Sequence, residues 1–174
     1  ISKLYKNKKC MINTKKIKIA LIGAGNMAKE YLEILSKNKN VILIGIYSRT
    51  FSKSEFLKKK YNIKYNSKSI TDLYKITKPN IVLVTVPGNV MLKTTLKLIN
   101  FPWLIFIEKP PGLNFLEFKK LLKISNLKKK KIYVGMNRRY FSSTLKLVEK
   151  LKFSKSKRVI QIFDQQNTIQ LKKA

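Results

Sequence analysis

The sequence predicts an α/β protein built on a doubly wound parallel sheet, and two observations carry this prediction. Apolar runs alternate regularly with amphipathic stretches along the 174 residues. These runs are continuous stretches rich in Val and Ile, which is typical of parallel strands covered on both faces. Strands that alternate with helices require right-handed crossovers, so helices are expected on both faces of one sheet.

Six apolar runs are expected to form the strands, and six strands match the dinucleotide-binding arrangement. The run IVLVTV has the composition of a central strand and is ended by Pro87 and Gly88. The run WLIFIE is followed by Pro110 and Pro111, which cannot continue the hydrogen-bond ladder of a central strand. The predicted strands occupy residues 16–23, 41–48, 63–65, 81–86, 103–108 and 131–136.

Amphipathic stretches fill the gaps between these strands and are expected to form helices. Two of the stretches open with the spacing of a capping box, in which a polar residue precedes a glutamate by three positions. The two pairs are Ser52 with Glu55 and Asn114 with Glu117. The predicted helices cover approximately residues 26–37, 52–60, 71–76, 88–100 and 114–127.

A glycine-rich turn joins the first strand to the first helix. The sequence from Gly23 to Ala28 is GAGNMA, which fits the dinucleotide-binding pattern G-x-G-x-x-G/A. Gly23 permits the tight turn, Gly25 lets the backbone approach a diphosphate, and Ala28 allows close packing of helix on strand. The helix amides after Gly25, those of Asn26 and Met27, would then face the diphosphate. A glycine turn without a ligand is the alternative interpretation.

The end of the second strand predicts the cofactor, because an acidic residue there would hold the 2′-hydroxyl of the adenosine ribose. This chain has Ser48 and Arg49 at that place, so no carboxylate is present to repel a 2′-phosphate. Arg49 could pair with that phosphate or cover the adenine. The pattern favours NADP, with NAD as the alternative. A solvated loop arginine is the alternative interpretation, but the presence here of one of only four arginines in a lysine-rich chain favours a role.

The net charge of +31 would ordinarily indicate a nucleic-acid partner or an anionic surface. Only four of the 39 basic residues are arginine, and Lys, Asn and Ile are in excess everywhere. We therefore interpret the charge mainly as a compositional drift toward A/T-rich codons and expect no nucleic-acid partner. Cys10 is the single cysteine, which fits a reducing, cytoplasmic compartment. Lys and Pro residues interrupt the most apolar region, 80–107, so no membrane span is expected.

Two further motifs follow the fifth and sixth strands. Glu108-Lys109-Pro110 comes after the fifth, and the stretch VGMNRRY ends at Tyr140 after the sixth. With the glycine turn and the proline turn after the fourth strand, they make residues 16 to 152 resemble the glucose-fructose oxidoreductase / inositol dehydrogenase / MocA (Gfo/Idh/MocA) family. The resemblance implies a Rossmann dinucleotide-binding fold and hydride transfer between nicotinamide and a hydroxyl compound.

The resemblance also assigns roles to residues. It implies that Lys109 is catalytic, lying beside the nicotinamide and hydrogen-bonding the reacting hydroxyl. Glu108 would face the cofactor ribose, and the Pro110 bond would be a candidate for the cis form. No metal site is predicted. The remaining cofactor-binding positions implied are Val86, Pro87, Asn137 and Arg138, beside Lys109 itself.

The chain departs from this family in containing no histidine. The family's catalytic histidine, commonly in a D-x-x-x-H motif, lies in a second domain, so we expect the chain to be incomplete. The predicted organisation is a disordered or non-native tail at 1–14, a Rossmann domain at 15–137, and a connecting helix with the first strand of a truncated α+β domain at 138–174. That strand is expected at 157–166.

The leading interpretation is the cofactor-binding part of a cytoplasmic NAD(P)-dependent oxidoreductase. Its expected substrate is a sugar or cyclitol, and the full-length protein is expected to be a homo-oligomer. A non-catalytic nucleotide-sensing Rossmann module is an alternative function. A basic nucleic-acid-binding protein is the third. Dinucleotide binding separates the first two functions from the third, whose binding to DNA would be strongly salt-dependent.

Overall fold

The computed structural model describes residues 16–152 and Gln161. The chain divides into two compact units, the first ending at Val134 and the second beginning at Gly135. The first unit contains one six-stranded sheet in which every paired strand is parallel. Its strands are β1 (Ile17–Ile22), β2 (Val41–Tyr47), β3 (Tyr65–Ser67), β4 (Ile81–Val84), β5 (Leu104–Ile107) and β6 (Ile132–Val134).

Five helices connect these strands, as expected for right-handed crossovers between parallel strands. They are α1 (Asn26–Leu35), α2 (Phe51–Lys60), α3 (Ile70–Thr77), α4 (Gly88–Leu98) and α5 (Phe115–Leu127). In the second unit a 3₁₀ helix (Asn137–Tyr140) precedes α6 (Ser142–Lys152). The unit boundary lies slightly before the domain boundary predicted at 137/138. The predicted tail at 1–14 and the predicted strand at 157–166 lie outside the described residues, apart from Gln161.

The strand order is β3-β2-β1-β4-β5-β6, which confirms the doubly wound fold. The chain winds outward from β1 to β3, returns to the centre at β4, and winds outward again to β6. The order therefore reverses between β1 and β4, and the loops after these two strands diverge at the carboxyl edge of the sheet. Such a crevice is where open α/β sheets bind ligands.

Two apolar cores cover the two faces of the sheet. Alternate residues of β1 belong to different cores, with Ala20 and Ile22 on one face and Leu21 on the other. The cluster containing Leu21 includes Ala28 and Leu32 of α1. Helices on both faces explain why the strands read as continuous apolar runs rather than alternating ones.

The prediction of a third strand at 63–65 was wrong by two residues. Pairing with β2 begins at Gly45 opposite Tyr65, so the strand occupies Tyr65–Ser67. Ile63 is buried in the loop before it and packs in the same core as Leu57 of α2. Its apolar side chain indicated burial, not strand pairing.

The capping box predicted at Ser52 and Glu55 was also wrong. Helix α2 begins at Phe51, its N-cap is Thr50, and no side chain caps it. The Glu55 carboxylate instead accepts hydrogen bonds from Asn66 Nδ2 at 2.9 Å and from Lys58 Nζ at 3.4 Å. The bond from Asn66 lowers the pKa of Glu55 below its ordinary value.

The prediction for α5 is confirmed. The Glu117 amide donates to Asn114 Oδ1 at 2.9 Å, and Glu117 Oε2 accepts from the Leu113 amide at 2.8 Å. Strand β4 is shorter than predicted, since Val84 is its last residue that pairs with both β1 and β5. Of the described helices, none is long and apolar enough to cross a membrane.

Candidate functional site

The turn after β1 requires glycine at its first position. Gly23 has φ +109°, a value that side-chain-bearing residues rarely adopt. A Cβ there would lie 2.9 Å from the carbonyl carbon and oxygen of Thr85, which follows β4. The Gly23 amide donates to the Tyr47 carbonyl at 2.8 Å. Backbone from both neighbouring strands therefore surrounds Gly23.

Gly25 lies in open space, unlike Gly23. Its φ of −84° suits any residue, and a Cβ would meet no atom within 4 Å. It is the N-cap of α1 and has no side chain to accept from the first-turn amides. A ligand oxygen can therefore take that position, with the helix dipole favouring an anion. Ala28, one turn into the helix, is fully buried, which confirms its expected close packing.

A cleft of about 290 Å³ opens between the first turns of α1 and α2. Asn26 and Lys29 line it from α1, and Ser52, Lys53 and Phe56 line it from α2. Gly25 also lines it, so the cleft begins at the glycine turn. Its two cationic side chains, Lys29 and Lys53, make it suited to an anionic group.

The residues predicted to select the cofactor lie in the loop that leads into α2. Arg49 is exposed and Ser48 is half-buried. Ser48 Oγ accepts a hydrogen bond from the Thr50 amide at 3.3 Å. Sequence reasoning missed Lys29 and Lys53, because lysine is so frequent here that only their position at the cleft distinguishes them.

The turns after β4 and β5 lie against each other. Pro87 is exposed and is the N-cap of α4, and Val86 before it is half-buried. A Cβ on Gly88 would come within 3.3 Å of Leu113 Cδ2 and 3.6 Å of Pro110 Cγ. The residues after these two strands that the family resemblance assigns to the cofactor therefore lie together at the carboxyl edge of the sheet.

Glu108 and Lys109 have opposite environments. Glu108 is only 7% exposed, its amide donates to the Val84 carbonyl at 3.0 Å, and its carboxylate accepts from the Tyr31 hydroxyl. Lys109 is exposed, and the peptide bond between Lys109 and Pro110 is cis, as the resemblance implied. One oxygen of Glu108 is therefore held inside the fold by α1.

Tyr31 is a third residue that sequence reasoning missed. Burial and the neighbouring Glu108 raise the pKa of its hydroxyl well above the ordinary value, so the hydroxyl, which is protonated at neutral pH in any tyrosine, also keeps its proton under alkaline conditions. The ring of Tyr31 packs edge-on against Phe106, with centroids 6.2 Å apart. No local signal marks this pair, because Tyr31 and Glu108 are 77 residues apart.

Asn137 and Arg138 belong to the second unit, where both are exposed in the 3₁₀ helix Asn137–Tyr140. In residues 16–152, no three His, Cys, Asp or Glu side chains are grouped as metal ligands would be.

Residues 17–136 match the model of the oxidoreductase family with an NAD-binding Rossmann fold, Gfo/Idh/MocA. A comparison with curated protein sequences finds no significant match.

Solved structures share the fold. Myo-inositol dehydrogenase from Lactobacillus casei, in complex with NAD(H) and myo-inositol, is 24% identical with a TM-score of 0.73, and 79% of this chain covers 41% of that one. Scyllo-inositol dehydrogenase from the same organism, with NAD(H) and scyllo-inositol, is 21% identical with a TM-score of 0.70 (80% and 43% covered). Myo-inositol 2-dehydrogenase from Lactobacillus plantarum is 21% identical with a TM-score of 0.70 (81% and 43%).

At these identities the likeness shows the fold alone, and the chain spans about two-fifths of each neighbour. The family match is independent of them and extends from β1 to just beyond β6. The matched residues include the glycine turn, the turns after β4 and β5, and Lys109. The chain therefore belongs to the Gfo/Idh/MocA oxidoreductase family, with an NAD-binding Rossmann fold.

Proposed function

We propose that this chain is the cofactor-binding part of an NADP-preferring oxidoreductase that acts on a hydroxyl group of a sugar or cyclitol. The observation that carries the proposal is the open space at Gly25, at the N-terminus of α1 and at the sheet edge that bears Lys109. A cytoplasmic location fits the single cysteine. Homo-oligomerisation of the full-length protein is part of the same proposal.

The order of the strands supports a particular direction for the dinucleotide. β2 and β5 lie on opposite sides of the pair β1 and β4. A dinucleotide whose diphosphate lies at Gly25 would extend its adenosine toward the end of β2 and its nicotinamide toward the ends of β4 and β5. Lys109 would then lie on the nicotinamide side.

The charges near the end of β2 support NADP. No carboxylate follows β2, and three cations lie in the loop or cleft nearby, namely Arg49, Lys29 and Lys53. A 2′-phosphate carries up to two negative charges, and hydrogen bonds to charged groups contribute about 1.5–3 kcal/mol each. NAD lacks this phosphate and would gain little from the same residues.

Exposed Lys109 supports reaction at a hydroxyl group. When bound, the dinucleotide supplies a hydride donor or acceptor at its nicotinamide. The Lys109 ammonium can donate a hydrogen bond to a substrate oxygen and stabilise negative charge that develops there. The inositol dehydrogenases that share the fold support a cyclitol as the substrate class.

The test is a titration of the chain with NADPH and with NADH, followed by nucleotide fluorescence at moderate salt. We expect tighter binding of NADPH, and Ser48→Asp should shift the preference about tenfold toward NADH, since 1.4 kcal/mol is a factor of ten. Lys53→Ala should weaken NADPH about tenfold but NADH less than about twofold. Lys75→Ala on α3 is the matched control and should change neither.

Three results would contradict the proposal. A wild-type chain that prefers NADH, or a preference that Ser48→Asp leaves unchanged, would remove the assignment of NADP. Salt-sensitive binding of DNA without any binding of dinucleotide would favour the nucleic-acid alternative.

A further inference from the structure

Tyr31 makes two contacts with the end of β5. Its hydroxyl donates to Glu108 Oε1, and its ring packs edge-on against Phe106 at an interplanar angle of 76°. Phe106 lies in β5, and Glu108 is the residue directly after this strand. They are two positions apart, so their side chains point to the same face of the sheet. Through Tyr31, helix α1 therefore contacts both β5 and the residue that follows it.

The Glu108 carboxylate needs this partner. A buried carboxylate is costly unless it is hydrogen-bonded. The Tyr31 hydroxyl is protonated at neutral pH, as in any tyrosine, and so can donate to this carboxylate. The contact is thus a part-buried, charge-assisted hydrogen bond, a class that is stronger than hydrogen bonds between neutral groups.

Glu108 is held from two directions. Its backbone amide donates to the Val84 carbonyl at 3.0 Å, which ties it to β4, and its side chain is tied to α1. The next residue is the exposed Lys109. Because Glu108 and Lys109 are joined by a peptide bond, the contacts that fix the position of Glu108 also constrain the position of the Lys109 backbone.

Helix α1 has a second role at its other end. It begins immediately after Gly25, where the diphosphate would bind, and Tyr31 is the sixth of its ten residues. One short helix therefore links the proposed diphosphate position to the residue before Lys109.

From these contacts we infer that Tyr31 is a positioning residue, which holds Glu108 so that the turn carrying Lys109 is set for the nicotinamide half of the cofactor. This inference rests on the proposed function, in which Lys109 lies on the nicotinamide side. It concerns the position of Lys109 and assigns Tyr31 no contact with substrate or cofactor.

The experiment compares a whole cofactor with half of one. Tyr31→Phe removes only the hydroxyl and keeps the ring against Phe106. It should weaken NADPH about tenfold, whereas 2′,5′-ADP, which lacks the nicotinamide half, should bind within about twofold of wild type. A merely structural role, such as loosening α1, would weaken both ligands equally.

The matched control is Tyr61→Phe. The Tyr61 hydroxyl also donates to a glutamate, Glu33 Oε1 at 3.4 Å, but at an exposed position. This variant should bind both ligands as the wild type does. If Tyr31→Phe fails to fold because it leaves the Glu108 carboxylate without its partner, Tyr31→Phe/Glu108→Gln removes that charge. Its NADPH binding is then compared with that of Glu108→Gln alone, in which the Tyr31 hydroxyl can still donate to the amide oxygen, and the double variant should bind NADPH more weakly.

Amide hydrogen exchange provides a readout that needs no cofactor. Exchange in residues 108–113 should increase severalfold in Tyr31→Phe and stay unchanged in Tyr61→Phe, as mass spectrometry of peptides would show. Unchanged exchange there, or equal losses for NADPH and 2′,5′-ADP, would overturn the inference about Tyr31. A wild-type chain that binds neither ligand would instead overturn the proposed function, and the exchange result alone would then decide whether Tyr31 holds the turn.

Discussion

Gly23 and Gly25 are two residues apart, yet different atoms constrain them. Gly23 is needed by the fold, because its φ is +109° and the Thr85 backbone leaves no room for a Cβ. Gly25 has an ordinary φ and open space around it. The fold alone does not explain why position 25 is a glycine, whereas a ligand that approaches the backbone there does.

Alanine should therefore mainly reduce stability at position 23 and mainly reduce dinucleotide binding at position 25. Gly23→Ala is expected to lower the free energy of unfolding by about 2–4 kcal/mol, from a strained φ and a clash with backbone. Gly25→Ala should cost no more than about 1 kcal/mol, the penalty for Ala at an N-cap. It should nevertheless weaken dinucleotide binding about tenfold or more. Urea unfolding and nucleotide titration measure both effects, and a stable Gly23→Ala variant would show that the turn can relax.

At the scale of the helix, α2 and α5 have the same capping pattern and only α5 uses it. Asn114 accepts from the Glu117 amide, whereas Glu55 bonds to Asn66 on β3 and Lys58 on its own helix. Asn66 lies opposite Ile46 in the ladder between β2 and β3. Pairing of β3 with β2 thus brings a competing donor to Glu55, and α2 begins one residue before Ser52.

Removing each candidate cap should distinguish the two helices. Asn114→Ala is expected to lower the free energy of unfolding by about 1 kcal/mol, the usual cost of losing an N-cap side chain. Ser52→Ala should change it by less than about 0.5 kcal/mol, as for most exposed positions. Chemical denaturation of both variants measures the difference. Equal losses would mean that Ser52 caps α2 in solution after all.

At the scale of the whole molecule, the charge is strongly unbalanced. The chain carries 39 Lys and Arg residues against eight Asp and Glu. Within residues 16–152 one Lys–Glu ion pair is formed, between Lys58 and Glu55 at 3.4 Å. Most of the positive charges therefore repel one another without local compensation, which destabilises a compact state.

Salt should stabilise the folded protein by screening this repulsion. Between about 0.02 M and 0.3 M sodium chloride the Debye length falls from roughly 20 Å to 6 Å. We expect the melting temperature to increase by several degrees, since about 1 kcal/mol shifts it by roughly 2–8 °C in domains of this size range. The variant Lys59→Gln/Lys60→Gln, with two fewer charges on α2, should respond less. A melting temperature that falls with salt would contradict this account.

The sequence by itself determined the type and order of the elements. Continuous Val- and Ile-rich runs indicate parallel strands because such strands are buried on both faces, and that pattern is visible within a few residues. It also located the glycine turn and the motifs after β4 and β5. Because the carboxyl ends of parallel strands share one edge of a sheet, motifs that each follow a strand could be expected at one crevice before any contact was known.

Only the tertiary structure decided which of these residues touch. The bond between Tyr31 and Glu108 joins positions 77 residues apart, and the cleft distinguishes Lys29 and Lys53 from the many other lysines. The hydrogen-bond partner of Glu55 depended on Asn66, which lies on β3 where that strand pairs with β2. Periodicity and capping act over a few neighbouring residues, whereas these contacts depend on strand register and helix packing, which arise only when the whole chain has folded.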